Sequence, residues 1–543
     1  MIRTRMSKQP RFERQPPPTP PGPDEALGEV GLRGWIGVLG ALLGAFMAVL
    51  DIQITNASLK DVTGALGATL DEGSWISTSY LMTEIVIIPL SGWLAMIFST
   101  RRYLLTTATL FLVFSTLCGF AWNLQSMILF RALQGLTGGA LIPLAFQIIL
   151  TTLPPAKRAM GFALFGVTAT FAPSIGPTVG GWLTDNYGWS LIFFINLIPG
   201  GVLLVTTWFA IPAKPTELSR VRGGDWWGIG TMAVGMASLT VFLEEGERKD
   251  WFGSPFIVRV AVTAAIALTA FLVIELWVAP RPFINLRLLG RRNFGFGSII
   301  NVGIGAALYG SAYLLPLYLA QSQGYNALQI GETVMWSGLP QLAIMPLVPL
   351  LMNRCDSRAL IGAGLVIFGV SCLMNYHLDP DVAYDQLRFS QILRAIGQPL
   401  VMVPVSALAT AGIEPANAGS ASGLFNMMRN LGGSVGIALL SAVLTEREHL
   451  HSNRLGELIS AYNPLTRDRV DLLTNGFVSH GFDLTTAGRM ALDALDNTVR
   501  SQAYLGAYSD CFFLVGITLF TATVALFFCK AAPRDPGASA GTH

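Results

Sequence analysis

Long runs of apolar residues recur along almost the whole of this sequence, and they constrain its fold more than any other feature. Each run is long enough to cross a hydrocarbon layer of about 30 Å as a helix. Hydrophobic residues make up 52% of the 543 residues, only 13% are charged, and the mean hydropathy is +0.53. Soluble domains carry charge on about a quarter of their residues. The chain is therefore predicted to be an all-α membrane protein rather than a soluble protein with many buried helices.

The short loops between these runs alternate in charge and indicate the orientation of the chain. Arginine and lysine occur in every second short loop, as at Arg101, Arg102, Lys157 and Arg158, whereas the intervening loops carry almost none. Positively charged short loops stay in the cytoplasm. Both termini are therefore predicted to be cytoplasmic, and the number of spans is predicted to be even, which agrees with about 14 spans by hydropathy. The spans are predicted to begin near Trp35, Ser74, Tyr103, Leu124, Arg158, Trp189, Trp226, Ile257, Asn293, Leu328, Ala359, Ala383, Ala416 and Leu505.

Polar segments flank and interrupt the spans. Residues 1–32 contain RQPPPTPPGP and are predicted to form a disordered cytoplasmic tail, because this composition cannot bury a core. Residues 531–543 form a second cytoplasmic tail. Residues 446–503 are predicted to lie outside the cytoplasmic membrane, with helix-like pieces, and to serve either as a partner-docking element or lid, or as a solvated connector. The predicted membrane domains are an N-terminal six-helix bundle (33–212), two inserted helices (213–283) and a C-terminal six-helix bundle (284–530).

An internal repeat relates the first six spans to the last six. MILFRALQG in the fourth span matches SQILRAIGQ in the twelfth and sets Arg131 against Arg394. ALFGVTATFAPSIGP in the fifth resembles GLFNMMRNLGGSVGI in the thirteenth, in the same order and at nearly the same offset. Two related six-helix halves separated by two inserted helices resemble a major facilitator fold, in which the substrate site lies near mid-membrane between the halves.

Three ionisable residues within the first half are candidates for proton coupling. Asp51 and Arg131 lie at comparable depth in the first and fourth spans, counted at about 1.5 Å per residue, so an ion pair is possible. Glu84 lies near the middle of the second span. Because charged groups in a membrane face a cavity or a partner, each of these residues serves either a structural pairing or proton exchange. A fixed cation that lowers the pKa of a nearby acid, and releases it on moving away, would couple protonation to conformation.

The segment FAPSIGPTVGGWL in the fifth span combines helix-breaking and small residues. Membrane helices tolerate such residues where a neighbouring helix covers the gap. The segment therefore serves either as a surface that rocks against its partner and seals the cavity, or as a static kink. The residues concerned are Pro173, Gly176, Pro177, Gly180 and Gly181.

Intramembrane polar residues elsewhere are candidates for the wall of a substrate cavity, since such residues are functional by default. Asn426 and Arg429 are three residues apart and share one face of the thirteenth span. Arg394 lies in the twelfth span. The remaining candidates, from the first and fourth spans, are Gln53, Asn56 and Gln134.

Three motifs resemble those of the fourteen-span drug:proton antiporter family, within the EmrB group. LDIQITNASL resembles its first-span signature, FRALQGLTGG its fourth-span arginine motif, and APSIGPTVGGWL its antiporter motif. The resemblance covers about residues 35–530 and maps the first-span acid onto Asp51, the motif asparagine onto Asn56 and the motif arginine onto Arg131. The chain departs from the family at Gln53 and Lys60, at Ala48, where EmrB has a second acid, and in the loop after the second span. Glu84 is our candidate for the role of that missing acid.

The resemblance implies proton-driven efflux of amphipathic, drug-like compounds across the bacterial inner membrane. It also implies an EmrA-like periplasmic adaptor and an outer-membrane channel as partners. Proton-coupled transport of one metabolite or lipid-like compound, without an adaptor, is the alternative. A membrane enzyme or sensor is a remote one, since the sequence has no nucleophile motif, metal-ligand spacing or phosphate loop. No cofactor, metal site or nucleic-acid partner is predicted, and the net charge is only +2.

Overall fold

The computed structural model describes residues 31–530, except residues 281, 380, 381, 383 and 461. Both predicted tails, apart from residues 31 and 32, lie outside the described residues. The described part of the chain consists of helices joined by short connections and contains no β-strand. This confirms the all-α prediction.

The described residues form fourteen candidate spans, as predicted from hydropathy, when one bent pair of helices is counted as a single span. Thirteen of those described are single long helices, and one is a pair of helices bent by 54° at a short break that contains Pro346. Proline breaks the helical hydrogen-bond ladder, which accounts for the bend. The spans, numbered in chain order, are α1 Leu32–Ala57, α2 Trp75–Phe98, α3 Thr100–Gly119, α4 Leu124–Thr152, α5 Pro155–Tyr187, α6 Leu191–Ala210, α7 Trp226–Glu245, α8 Pro255–Val278, α9 Arg292–Ser322, α10 Leu328–Ile344 with Leu347–Arg354, α11 Ser357–Tyr376, α12 Tyr384–Thr410, α13 Pro415–Leu458 and α14 Leu484–Leu526.

Successive spans run in opposite directions, so α1 begins and α14 ends at the same face of the bundle, here called the termini face. At this face Arg33 Nε donates to the Phe209 carbonyl at 2.9 Å, and Asn293 Nδ2 donates to the Lys530 carbonyl at 3.1 Å. The other face is called the opposite face. These contacts join the first and last spans of each half, so each half closes into a bundle.

The two inserted helices pack against α2 at both of its ends. At the termini face, the rings of Trp93 and Trp226 meet edge to face, with centroids 6.0 Å apart. At the opposite face, the buried Glu245 carboxylate accepts hydrogen bonds from Thr78 Oγ1 at 2.9 Å and from Ser74 Oγ at 3.2 Å. A charged group removed from water needs such donors. The α7–α8 pair is thereby fixed to α2 rather than lying free in the lipid.

Residues 446–503 are predominantly helical and extend two of the spans beyond the bundle. The helix of α13 continues to Leu458, and that of α14 begins at Leu484, so each of these helices exceeds 40 residues. Between them the helix Pro464–Ser479 packs along α14, and the Asn463 side chain caps its first turn. We call residues 446–503 the helical extension. A span needs only about 20 residues, so each of these two helices is about twice as long as a span requires.

Candidate functional site

The predicted ion pair between Asp51 and Arg131 forms at the centre of the first half. Arg131 Nη1 lies 2.6 Å from Asp51 Oδ2, and each side chain is only 1% exposed. A buried pair of charges is favourable only where the remaining donors and acceptors also find partners. The residues around this pair meet that condition.

Two amides complete the coordination of the Asp51 carboxylate. Gln134 Nε2 donates to Oδ1 at 3.0 Å, and Asn196 Nδ2 donates to the same oxygen at 2.6 Å. Asn196 also donates to Ser115 Oγ at 3.0 Å. The carboxylate therefore joins side chains of α1, α4 and α6, with α3 one bond further out. In this conformation it is an anchor shared by four helices.

Arg131 is held equally firmly. Its Nη1 also donates to Gln134 Oε1 at 2.7 Å, and its Nε donates to the Ile76 carbonyl at 3.4 Å. The guanidinium lies 4.3 Å from the centroid of the Tyr80 ring, which is a favourable cation–π distance. Together these contacts tie α2 to the network and keep its charge in place.

Asn196 and Ser115 belong to this network but are absent from the residues proposed from sequence. The available signal was Asn196 itself, an amide within the sixth predicted span. Comparing the depth of two residues in their spans can suggest a contact between two helices. It does not show that a third helix contributes a donor to the same carboxylate.

Glu84 differs from Asp51 because it is buried without a partner. Its side chain is 4% exposed, and no described residue forms a hydrogen bond or ion pair with its carboxyl. Gly139 of α4 packs directly on it, since a Cβ at that position would lie 2.8 Å from Glu84 Cγ. Three charged groups act on Glu84 through the interior: Arg131 and Arg429 attract its ionised form and Asp51 repels it. Arg131 lies in the first half and Arg429 in the second, so Glu84 interacts electrostatically with an arginine of each half.

A cavity of about 400 Å³ lies between the halves. It is walled by α1, α5, α9, α10, α12 and α13, and extends from mid-membrane to the opposite face, where the exposed Asn56 and Ala320 border it. Of the predicted cavity residues, Gln53, Asn56 and Arg394 line it. Gln134 instead belongs to the Asp51 network. Asn426 and Arg429 lie outside the lining set, buried within α13, where Arg429 Nη2 donates to Asn426 Oδ1 at 3.1 Å.

The halves meet tightly on the termini-face side of this cavity. A Cβ added at Gly92 of α2 would lie 2.5 Å from the carbonyl carbon of Gly419 in α13, so the two backbones touch. Ser422 Oγ donates to the Pro143 carbonyl at 2.5 Å, which joins α13 to α4. The Phe146 ring packs 5.6 Å from a phenylalanine ring of α13. The cavity is therefore closed toward the termini face and reaches the opposite face.

The proline- and glycine-rich segment of α5 lies where this helix passes between α1 and α10. A Cβ at Gly176 would lie 2.4 Å from Gln53 Cβ, and one at Gly180 would lie 2.9 Å from the Ile54 carbonyl oxygen. On its other side, Ser174 Oγ lies 3.1 Å from Ser337 Oγ of α10. Pro173 and Pro177 line the cavity, and Gly181 is buried. The segment thus forms part of the contact between the halves, in the conformation described.

Comparison with known proteins identifies the family to which the chain belongs. A family model for the Major Facilitator Superfamily matches residues 41–437, well over half of the chain. The chain belongs to the Major Facilitator Superfamily. The structure of the human organic anion transporter MFSD10 (TETRAN) has the same fold, with a TM-score of 0.54 at 12% sequence identity, over 91% of this chain and 99% of that one. At that identity the likeness concerns the fold alone.

Curated relatives identify the branch of the superfamily. The Colistin resistance protein EmrB of Acinetobacter baumannii is 33% identical over 494 residues, which cover 91% of this chain and 96% of the relative. The Multidrug export protein EmrB of Haemophilus influenzae is 30% identical over 489 residues, which cover 90% and 94%. The chain is therefore an EmrB-like efflux transporter, a multi-pass membrane protein that moves small molecules and is not an enzyme.

Proposed function

We propose that this protein is a proton-driven multidrug antiporter of the bacterial inner membrane, exporting amphipathic compounds by alternating access. One observation carries the proposal. Glu84, a buried carboxyl with no partner among the described residues, belongs to the same half as the fully paired Asp51, in a transporter whose cavity is closed at one face only. Pumping against a gradient needs a group that binds and releases a proton as access changes, and a buried acid without a partner suits that task.

The distribution of arginine and lysine supports a cytoplasmic location for both termini. With that orientation, the termini face is cytoplasmic and the opposite face periplasmic. The cavity is then open outward, and the contact of Gly92 with Gly419 forms part of the closed cytoplasmic gate. This is the conformation in which an exporter releases its cargo and takes up protons.

Glu84 is our candidate for the proton acceptor in this outward-facing conformation. Ionised Glu84 on α2 attracts Arg429 on α13, and this attraction crosses the interface between the halves. Coulombic attraction acts strongly in a low-dielectric interior. A proton that neutralises Glu84 removes the attraction and weakens the cytoplasmic closure, so the transporter turns inward. Release of the proton to the cytoplasm restores the attraction between Glu84 and Arg429.

Asp51 and Arg131 complete the proposed proton-coupling unit. The pair keeps the Arg131 charge fixed within the first half. If Asp51 became neutral, Arg131 would lose its only ionised hydrogen-bond partner among the described residues. The anchor between α1, α4 and α6 would loosen at the same time. The pair therefore links the charge state of the site to the packing of the first half.

The resemblance of the sequence motifs to the EmrB group supports a tripartite assembly. An EmrA-like periplasmic adaptor and an outer-membrane channel would carry the cargo onward. In the proposed orientation the helical extension projects into the periplasm, where such an adaptor would meet it. Exposed apolar side chains on the extension, among them Leu465 and Leu472, offer a surface for that contact.

Transport in proteoliposomes tests the proposal. A panel of amphipathic dyes, cationic, neutral and anionic, is offered to vesicles with and without an imposed pH gradient. The wild-type protein is expected to accumulate at least one dye only while the gradient lasts. Glu84→Gln is expected to abolish this gradient dependence and Asp51→Asn to reduce the rate at least tenfold. Asp61→Asn, which removes an exposed carboxylate just beyond α1, serves as the matched control and is expected to leave transport unchanged.

Two results would contradict the proposal. Gradient-independent transport by the wild type would identify a uniporter. Normal gradient-driven transport by both Glu84→Gln and Asp51→Asn would show that the proton binds elsewhere.

A further inference from the structure

The cavity contains an arginine that no acidic residue of the described chain neutralises. Arg394 of α12 lines the cavity and is 7% exposed. Its one hydrogen bond to a described residue is a long one, 3.4 Å from Nη2 to the Leu308 carbonyl, and its Nε has no partner. The Phe368 ring, 5.8 Å away, offers only a weak cation–π contact. A buried guanidinium normally has a carboxylate or several carbonyl oxygens around it.

Gln398 adds a second free donor on the same face of α12. It follows Arg394 by four residues, one helical turn, and also lines the cavity. Its Oε1 accepts a hydrogen bond from Gln341 Nε2 at 2.6 Å, which fixes the orientation of the amide. Its Nε2 is buried with no partner among the described residues. Both side chains therefore present hydrogen-bond donors, and neither donor set is satisfied by the protein.

The rest of the cavity wall determines what kind of molecule fits these donors. No aspartate or glutamate among the described residues lines the cavity, so Arg394 gives this described lining a net positive charge. Most of the wall is apolar, with Tyr309 and Tyr313 of α9 as its aromatic members. A volume of about 400 Å³ falls within the range of drug-sized binding sites. The cavity is thus complementary to a molecule with one anionic acceptor group and an apolar body.

We infer that Arg394 and Gln398 form a head-group subsite for amphipathic monoanions, above all carboxylates. The carboxylate accepts hydrogen bonds from the guanidinium and from the Gln398 amide, while the apolar body lies along α9. Charge-assisted hydrogen bonds of this kind are short and strong, and arginine matches the geometry of a carboxylate. The inference deepens the proposed function, because it assumes that this cavity is where the exported compound binds.

Binding of a matched pair of probes to the full-length protein in detergent tests the subsite without any proton gradient. The probes are a dansylated eleven-carbon fatty acid and its methyl ester, which share the apolar body and differ at the head group, charged in the acid and neutral in the ester. The wild type is expected to bind the acid at least tenfold more tightly than the ester. Arg394→Gln is expected to remove that preference by weakening the acid alone, and Gln398→Leu to reduce it in part. Arg394→Lys keeps the charge and is expected to retain part of the preference.

Arg388→Gln is the matched control, since it removes an arginine from the same helix that is exposed and does not line the cavity. It is expected to bind both probes as the wild type does. Equal wild-type affinity for acid and ester overturns the subsite, and so does an equal loss of both on Arg394→Gln. Binding is measured without a gradient, so a failed antiport assay with an intact acid preference would count against the proton mechanism only. Intact antiport with no acid preference would count against the subsite only.

Discussion

Arg131 and Arg394 occupy matching positions of the internal repeat, but only Arg131 is neutralised by the protein. Its Nη1 donates to Asp51 at 2.6 Å, whereas no described carboxylate pairs with Arg394. The repeat thus supplies two buried cations, and α1 supplies an acid to one of them. On the basis of this difference, we propose that Arg131 holds a fixed charge in the proton-coupling unit and that Arg394 binds the cargo.

Breaking the buried pair from one side is expected to cost much stability. Arg131→Met leaves the Asp51 carboxylate buried with its amide donors but without a counter-charge. Removing one partner of a buried ion pair typically costs about 3–5 kcal/mol. The double variant Asp51→Asn/Arg131→Met is expected to be more stable than Arg131→Met alone, because it removes both charges. Thermal unfolding of the purified protein in detergent measures the difference.

Asp496 and Arg500 provide the control for that experiment. They form an exposed pair of the same chemistry on the helical extension, with 2.9 Å between Oδ2 and Nε. Exposed pairs contribute little. Arg500→Met is therefore expected to leave the unfolding midpoint nearly unchanged. If Arg131→Met were equally mild, the Asp51 network would not be an anchor of the first half.

A side chain at Gly92 is expected to prevent closure of the termini face. A Cβ there would overlap the Gly419 backbone, so Gly92→Val cannot keep α2 and α13 in their present contact. The protein is then expected to populate the conformation that is open at that face. Labelling of Ser422→Cys by a membrane-impermeant thiol reagent, in a background without the five native cysteines, measures this opening. Gly92→Val is expected to raise the labelling rate from the termini face.

Gly201→Ala of α6 is the steric control, because a Cβ at Gly201 meets nothing within 4 Å. It is expected to label as slowly as the background. Slow labelling in Gly92→Val as well would mean that the contact of α2 with α13 does not gate the cavity.

The spans could be predicted from sequence because hydropathy is a property of each segment by itself. The Asp51–Arg131 pair also followed, since both residues lie at one depth and α1 and α4 belong to the same half. Contacts that depend on how separate units assemble did not follow. The hydrogen bond from Thr78 to Glu245 has no local sequence signal, and neither has the backbone contact between Gly92 and Gly419. The continuity of α13 and α14 with residues 446–503 did not follow either, because the polarity of this segment gives no hydropathy signal.

The hydrogen bonds from Thr78 and Ser74 to Glu245 are expected to stabilise the attachment of the inserted helices to α2. Thr78→Val removes one donor from a buried carboxylate while keeping the shape of the side chain. Leaving a buried acceptor short of a partner costs about 1–3 kcal/mol. The unfolding midpoint in detergent is expected to fall accordingly. Thr263→Val on the exposed face of α8, whose hydroxyl donates only to the backbone of its own helix, is expected to have little effect. Equal effects of the two substitutions would show that the hydrogen bond from Thr78 to Glu245 adds nothing to the attachment of α7.

The helical extension provides the last prediction, on the proposed adaptor. Leu465 and Leu472 are seven residues apart on the helix Pro464–Ser479, so they share one face, and their side chains are 77% and 62% exposed. Neither supports the fold, so Leu465→Ser/Leu472→Ser is expected to keep the unfolding midpoint and the vesicle transport of the wild type. Its capture of a co-expressed EmrA-like adaptor, however, is expected to fall at least tenfold, because the apolar contact is lost. Asp471→Ser changes an exposed polar residue of the same helix and should preserve capture. If the double leucine variant captures the adaptor normally, the docking surface lies elsewhere on the transporter.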